Sequence, residues 1–214
     1  MQHDLAQIKA WMQTHTPAIL AQLNSGASPD EISQLEAELG LSLPESFKQF
    51  LAEHDGDSGL SLDAFWGDFN VMLSCREILQ QYRLDQQIGR QLYDPEMATL
   101  AFWRDRVKGQ IIFVRGPVKP LMLHPKWIPL TNMNGDVMRY LDYDPAPGGI
   151  VGQIIEVDPE SCAYQVIASS FADLLQQYCL DLQACKYSVD EEGYLASEYE
   201  NDVMSWGMPA WLSP

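Results

Sequence analysis

The chain has 214 residues, the size of one domain or one domain with appended elements, and its 46% hydrophobic content is enough for a sizeable core. Thirteen Lys and Arg against 30 Asp and Glu leave a net charge of −17, which disfavours direct binding to nucleic acid or to an anionic membrane surface. A basic protein partner would be steered in instead, with an on-rate that falls as salt rises.

In chain order, Leu5, Ile8, Trp11 and Met12 recur at helical spacing from about Asp4 to Leu23, with a break at Pro17. SPDEISQLEAELG predicts a second helix. Ser28 and Glu31 make a capping box, Pro29 suits the first turn, Ile32, Leu35 and Leu39 share a face, and Gly40 stops it. LPESFKQFLAEHDG predicts a helix from Pro44 that buries Phe47, Phe50 and Leu51 and ends at Gly56. A further helix starts at Ser74, with Glu77 as its capping partner. The pattern weakens from Asp85 to Gly109.

Strand signals follow. QIIFVR (110–115) is rich in β-branched residues, and its prolines keep PVKPLMLHPKWIP extended. Asn134-Gly135 marks a turn before an alternating strand, and residues 150–158 and 163–168 continue the meander. SSFADLLQQYCLDL closes the run as a capped helix. Helices first, then strands, then a closing helix predicts an α+β fold with a mostly antiparallel central sheet. Residues 1–27 read as a helical extension, 28–182 as the domain and 183–214 as a tail. From 186 onward that tail carries Lys186 against six acids, yet holds Tyr187, Tyr194, Tyr199, Trp206 and Trp211. Those aromatics predict that it docks on its own domain or on a partner.

The search for reactive groups yields little. Asp142 and Asp144, two apart in YLDYDPAPGGIVGQIIEVD, would share a strand face, an arrangement that cannot easily flank a glycosidic bond from both sides. PAPGGIVGQ lacks both the G-x-G-x-x-G pattern and the G-K-[ST] of a phosphate loop, so it reads as a hairpin connection. HDGDSGLSLD (54–63) has no glycine at the sixth position of a calcium loop and no glutamate at the twelfth. The four histidines form no metal pair. Cys75, Cys162, Cys179 and Cys185 form no C-x-x-C or zinc spacing. No metal, cofactor or catalytic constellation is therefore expected. No signal peptide or apolar run of ~20 residues is visible, which predicts a cytoplasmic protein with reduced thiols.

The order of these pieces resembles the SMI1/KNR4, or SUKH, family over roughly residues 28–182. The carrying motifs are a helix ending in LG, LPESFKQFLAEHDG, VMLSCREIL, KWIPL, the NGD turn, YLDYDP, the GG-x-x-GQII hairpin and SSFADLLQQY. The resemblance implies a compact α+β binding domain with no enzyme chemistry. Bacterial members resemble immunity proteins that neutralise toxin domains, often nucleases, and fungal members look like interaction hubs in cell-wall control. On that footing the expected function is occlusion of a basic, nuclease-like toxin domain, with a regulatory or scaffold role in cell-wall assembly as the alternative. The residues proposed to meet the partner are Trp66 and Asp68 in FWGDF, Asp142 and Asp144 in the hairpin, and Asp158. Trp66 suits a core position as well as an exposed anchor.

Overall fold

Each N-terminal helix begins where its sequence supplies a cap or a break. The computed structural model describes residues 1–58, 65–67, 70–93, 113–133, 135–160 and 162–197. Helices α1 (Gln2–His15) and α2 (Pro17–Gln22) are separated at Thr16, since Pro17 cannot donate into a continuing ladder. Helix α3 (Pro29–Leu39) carries the full capping box. Glu31 N donates to Ser28 Oγ at 3.3 Å, and Ser28 N donates to Glu31 Oε2 at 2.8 Å. Gly40 ends it at φ +69°, a left-handed value that costs glycine little.

Helix α4 (Glu45–Glu53) is capped C-terminally by His54, two residues before the predicted stop. Gly56 serves the following loop instead. At φ +75° its position would place a Cβ 2.5 Å from Ser74 N, so no larger residue fits. A two-residue strand, β1 (Val71–Met72), leads into α5 (Cys75–Tyr93), where Ser74 N donates to Glu77 Oε2 at 2.9 Å. Helix α5 continues well past Asp85, where the apolar pattern fades. Its later turns carry Gln86, Gln87, Arg90 and Gln91, good helix formers, around Ile88 and Gly89.

The strands β2 (Phe113–Arg115), β3 (Trp127–Met133), β4 (Val137–Asp142), β5 (Gln153–Asp158) and β6 (Ala163–Ala168) complete a six-stranded sheet of order β1-β3-β4-β5-β6-β2. All of its pairings are antiparallel except β2 with β6. Helix α6 (Phe171–Gln183) follows, with Ser170 Oγ accepting from Asp173 N at 3.1 Å. A hairpin of β7 (Tyr187–Val189) and β8 (Leu195–Ser197) comes last among the described residues. The architecture is α+β, as expected.

Alternation sorts the sheet's side chains into two cores. Ile128, Leu141, Ile154 and Ala168 belong to the main core with Phe47, Phe50, Phe171 and Leu175 of the helices. Phe171 lies 4.9 Å from Phe47 and 5.4 Å from Phe50, tilted and edge-on distances that favour aromatic pairs. Leu5, Ile8 and Met12 bring α1 into that same core, and Leu195 brings in the hairpin. The sheet's other face holds Trp127, Met138, Tyr140, Ile155, Val157 and Tyr164. No helix among the described residues is long and apolar enough to cross a membrane.

Candidate functional site

The residues singled out from sequence do not form one surface. Trp66 is 1% exposed, with its indole Nε1 donating to the Met72 sulfur at 3.1 Å and its ring 5.1 Å from Tyr178. It is a core residue and presents no anchor to a partner. Asp68 lies outside the described residues.

Asp142 and Asp144 diverge, against the expectation that they stand side by side. A two-residue spacing gives a shared face only while a strand continues, and β4 ends at Asp142. The chain bends there, and Asp144 N donates to Asp142 Oδ1 at 2.9 Å. Asp142 is fully buried, and its Oδ2 accepts from Gln153 Nε2 at 3.0 Å. Burial pushes its carboxyl above the ordinary range, while the hydrogen bonds from Asp144 and Gln153 pull the other way. Gln153 Nε2 also donates to Pro117 O at 3.1 Å, and its Oε1 accepts from Ile150 N at 3.1 Å. Asp142 and Gln153 thus staple the loop between β4 and β5 to the segment after β2.

Asp144 turns outward, 2.7 Å from Lys119 Nζ and 3.2 Å from His124 Nε2, and the hydrogen bond from Lys119 holds its carboxyl below the usual range. Asp158 closes the β5–β6 turn by accepting from Glu160 N at 2.9 Å.

A concave feature lies elsewhere among the described residues. A groove of about 540 Å³ runs between the sheet, α6 and the β7–β8 hairpin, within the size range of ligand-binding clefts. Its floor is a row of polar side chains on four adjacent strands. Strand register sets Arg139 opposite Glu156, Glu156 opposite Gln165, and Arg115 beside Gln165. Arg139 Nε donates to Glu156 Oε2 at 3.0 Å, Gln165 Nε2 donates to Glu156 Oε1 at 2.8 Å, and Arg115 Nη2 donates to Gln165 Oε1.

This row sits on the same sheet face as Leu141 and Ile154, and α6 lines the groove beside it with Leu174, Gln177, Tyr178 and Asp181. The helix contributes Asp181 to the wall. That carboxylate is 5% exposed and accepts from Gln177 Nε2 and Lys186 Nζ, each at 2.9 Å. The ring of Tyr187 on β7 packs edge-on against Tyr178 at 5.2 Å, which fixes the hairpin as the opposite wall.

The acids on the described groove surface, Glu156 and Asp181, are bound to neighbouring cations or amides. Among the described residues no cluster of His, Cys, Asp or Glu is placed to hold a metal ion. Burial drives the Cys75 thiol far above its ordinary range, and the neighbouring Asp55 adds to the effect, which leaves Cys75 a poor nucleophile. Sequence reasoning passed over Arg139, Glu156, Gln165 and Arg115. The available signal was a charge inside each alternating strand, Arg139 between Met138 and Tyr140 and Glu156 between Ile155 and Val157.

Known proteins resemble this chain in sequence. A glucan synthesis regulatory protein of Neurospora crassa is 26% identical over 207 residues, which cover 87% of this chain and 39% of that protein. The cell wall biosynthesis/cell cycle regulator smi1 of Schizosaccharomyces pombe is 29% identical over 190 residues, covering 87% and 37%. The cell wall assembly regulator SMI1 of Saccharomyces cerevisiae is 23% identical over 218 residues, covering 90% and 43%. The chain therefore spans about two-fifths of the length of these relatives. The model of the SMI1 / KNR4 family (SUKH-1) matches residues 26–177, a stretch that takes in α3 through most of α6, and the chain belongs to that family.

Proposed function

We propose that this chain is a cytoplasmic, non-enzymatic protein-binding module of the regulatory kind, and that its groove receives a segment of the partner. The observation that carries the reading is the continuous row Arg139–Glu156–Gln165–Arg115 on the floor of an open groove. It offers fixed donors and acceptors over four strands, and its carboxylate is held by cation and amide rather than aimed at a reacting atom. The printed names of the relatives, all regulators of cell-wall or glucan synthesis, support the regulatory sense.

The experiment is affinity capture with the intact chain and with Arg115→Glu, whose side chain lies at the exposed end of the row. The reading expects a specific partner retained by the intact chain and lost by the variant, with circular dichroism unchanged. Equal capture by both would reject the groove as the contact.

A second reading makes the partner a basic, nuclease-like toxin domain that the chain occludes. The −17 net charge favours it. Exposed acids, Asp30, Asp136 and Glu191 among them, would then supply the attraction in place of the buried Asp142. Capture of a basic domain that weakens steeply between low and high salt, and weakens further on reversing those three charges, is the expected outcome. A salt-independent partner argues for the first reading.

A further inference from the structure

We propose that the outer face of α5 is a second docking surface, and that its occupant is an acidic helical segment of a protein partner. The face shares no residue with the described lining of the groove and does not depend on it. Three observations carry it.

The first is spacing. Helix α5 holds three arginines, Arg76, Arg83 and Arg90, each seven residues from the next. Seven residues bring a helix round to within about 20° of the same direction, so the three side chains leave it in one line, about 10.5 Å apart. Gln80 and Gln87 fill the intervening turns, and all five residues are exposed.

The second is charge. Neither acid of α5 serves this line, since Glu77 accepts from Ser74 at the cap and Asp85 is buried. Arg83 reaches Glu38 of α3 at 2.7 Å, with the two side chains 62% and 41% exposed. Arg76 and Arg90 have no acid in ion-pair contact among the described residues. Counted with Glu38, the stripe keeps a charge of 3 − 1 = +2 on a chain whose net charge is −17.

The third is shape and apolar content. An open hollow follows the stripe from Arg83 to Arg90, with Tyr82, Gln86, Gln87 and Gln91 also on its described lining. Leu84 stands beside it, 48% exposed, one of the large apolar side chains that the described surface leaves in water. It lies within one helical turn of Gln80 and Gln87, so an apolar foothold adjoins the line of cations.

These features select the partner. Fourteen residues separate Arg76 from Arg90, a span of about 21 Å. A helix laid along it with Asp or Glu at every seventh position would set one carboxylate against each arginine. The guanidinium fork matches a carboxylate with two parallel hydrogen bonds, and an apolar side chain on the same face would cover Leu84. Nucleic acid fits poorly, because its phosphates continue past so short a stripe onto a surface rich in acids. At physiological ionic strength the repulsion of those acids fades over about 8 Å, so a short acidic segment responds mainly to the stripe itself.

The test uses the full 214-residue chain and, as probe, a fluorescein-labelled helical peptide of about 18 residues, enough turns to cover the stripe. The probe carries Glu at every seventh position and Leu beside the central one. A control peptide of the same composition spreads its glutamates around the helix. Fluorescence anisotropy at low salt is expected to show tighter binding of the probe than of the control. Arg76→Glu/Arg90→Glu should weaken probe binding about tenfold, the scale of two exposed ion pairs turned to repulsion. Arg76→Gln/Arg90→Gln should lose less, and circular dichroism should match the intact chain for both. Arg115→Glu, which alters the groove, should bind the probe as the intact chain does. Equal binding of probe and control, no binding of the probe, or indifference to both arginine pairs overturns the proposal. So does an equal loss in Arg115→Glu, which would report overall charge alone. Self-association abolished by the arginine variants, without probe binding, assigns the face to a second copy and also overturns it. Capture at the groove and probe binding at α5 are separate readouts, so this inference and the regulatory reading can fail independently.

Discussion

Lys9 of α1 and His54 at the end of α4, forty-five residues apart, meet with Nζ 2.9 Å from Nε2. An ammonium only donates, so Nε2 accepts, and His54 is the neutral tautomer whose Nδ1–H donates to Asn24 O at 3.2 Å. Lys9 also reaches Glu53 at 2.8 Å, so one cation joins α1 to the end of α4. Burial foremost, opposed by the Asn24 carbonyl and seconded by Lys9, lowers the His54 pKa below 6.5. The folded state therefore binds this proton less readily than the unfolded chain. The contribution is fully present above pH 6.5 and is lost as pH falls from there through the lowered folded value. Urea titrations at pH 7.5 and pH 5 should show the wild type weaker at the lower pH, and His54→Gln should flatten that difference.

Asp85 carries the opposite sign. It is 6% exposed on α5, takes one hydrogen bond from Gln81 Nε2 at 2.7 Å, and faces the buried phenol of Tyr140. Burial pushes its carboxyl up to about 6, with Gln81 and Tyr140 opposing. Its contribution to stability is fully present below about pH 4 and is lost as pH rises through 6. Asp85→Asn keeps the acceptor for Gln81. It should stabilise the fold at pH 8 by up to about 3 kcal/mol and change little near pH 4. A chemical denaturation series across that range measures it.

Gln153 and Asp142 predict a cost for breaking the staple. Gln153→Ala removes the donor to Asp142 Oδ2 and the acceptor for Ile150 N, leaving a buried carboxylate short of one partner. We expect a loss of about 2–4 kcal/mol in equilibrium unfolding. Asp142→Asn, which retains an acceptor for the Asp144 amide, should lose less.

Trp66→Ala should cost about 3–5 kcal/mol, the range for emptying a large buried aromatic site. A Trp66 variant that fails to capture a partner will consequently show an early thermal transition as well, which calorimetry reads directly.

Arg139 and Glu156 should couple. Their side chains are 12% and 16% exposed, well short of the solvent screening that makes surface pairs worth little. A double-mutant cycle with Arg139→Met and Glu156→Gln should give an interaction energy of about 1 kcal/mol or more. A value near zero would mean that the row is held by its amides rather than its charges.

Local signals were readable in the sequence. The capping boxes of α3 and α5, the Gly40 stop and the Ser170 cap each depend on residues within four positions, and all four appear in the structure. The α+β order was readable for a similar reason, since each strand and helix carries its own periodicity. The groove was not. Its floor joins Arg115 to Gln165, fifty residues apart, through a parallel pairing that no turn motif announces. Nor could two-residue spacing show that β4 would end at Asp142, because the buried carboxylate that accepts the Asp144 amide is itself oriented by Gln153, eleven residues further on. The length of α5 was missed because Gly89 and a run of glutamines thin out the apolar residues of its last turns.

Among the described residues, the two margins of the main sheet are its shortest strands, β1 with two residues and β2 with three. An incoming strand aligned along either margin would find few backbone amides to pair with, which blunts ladder extension into another chain. Association by strand addition is thereby discouraged at both ends. What the sheet offers a neighbour is therefore its broad side, where the polar row lies, rather than its described margins.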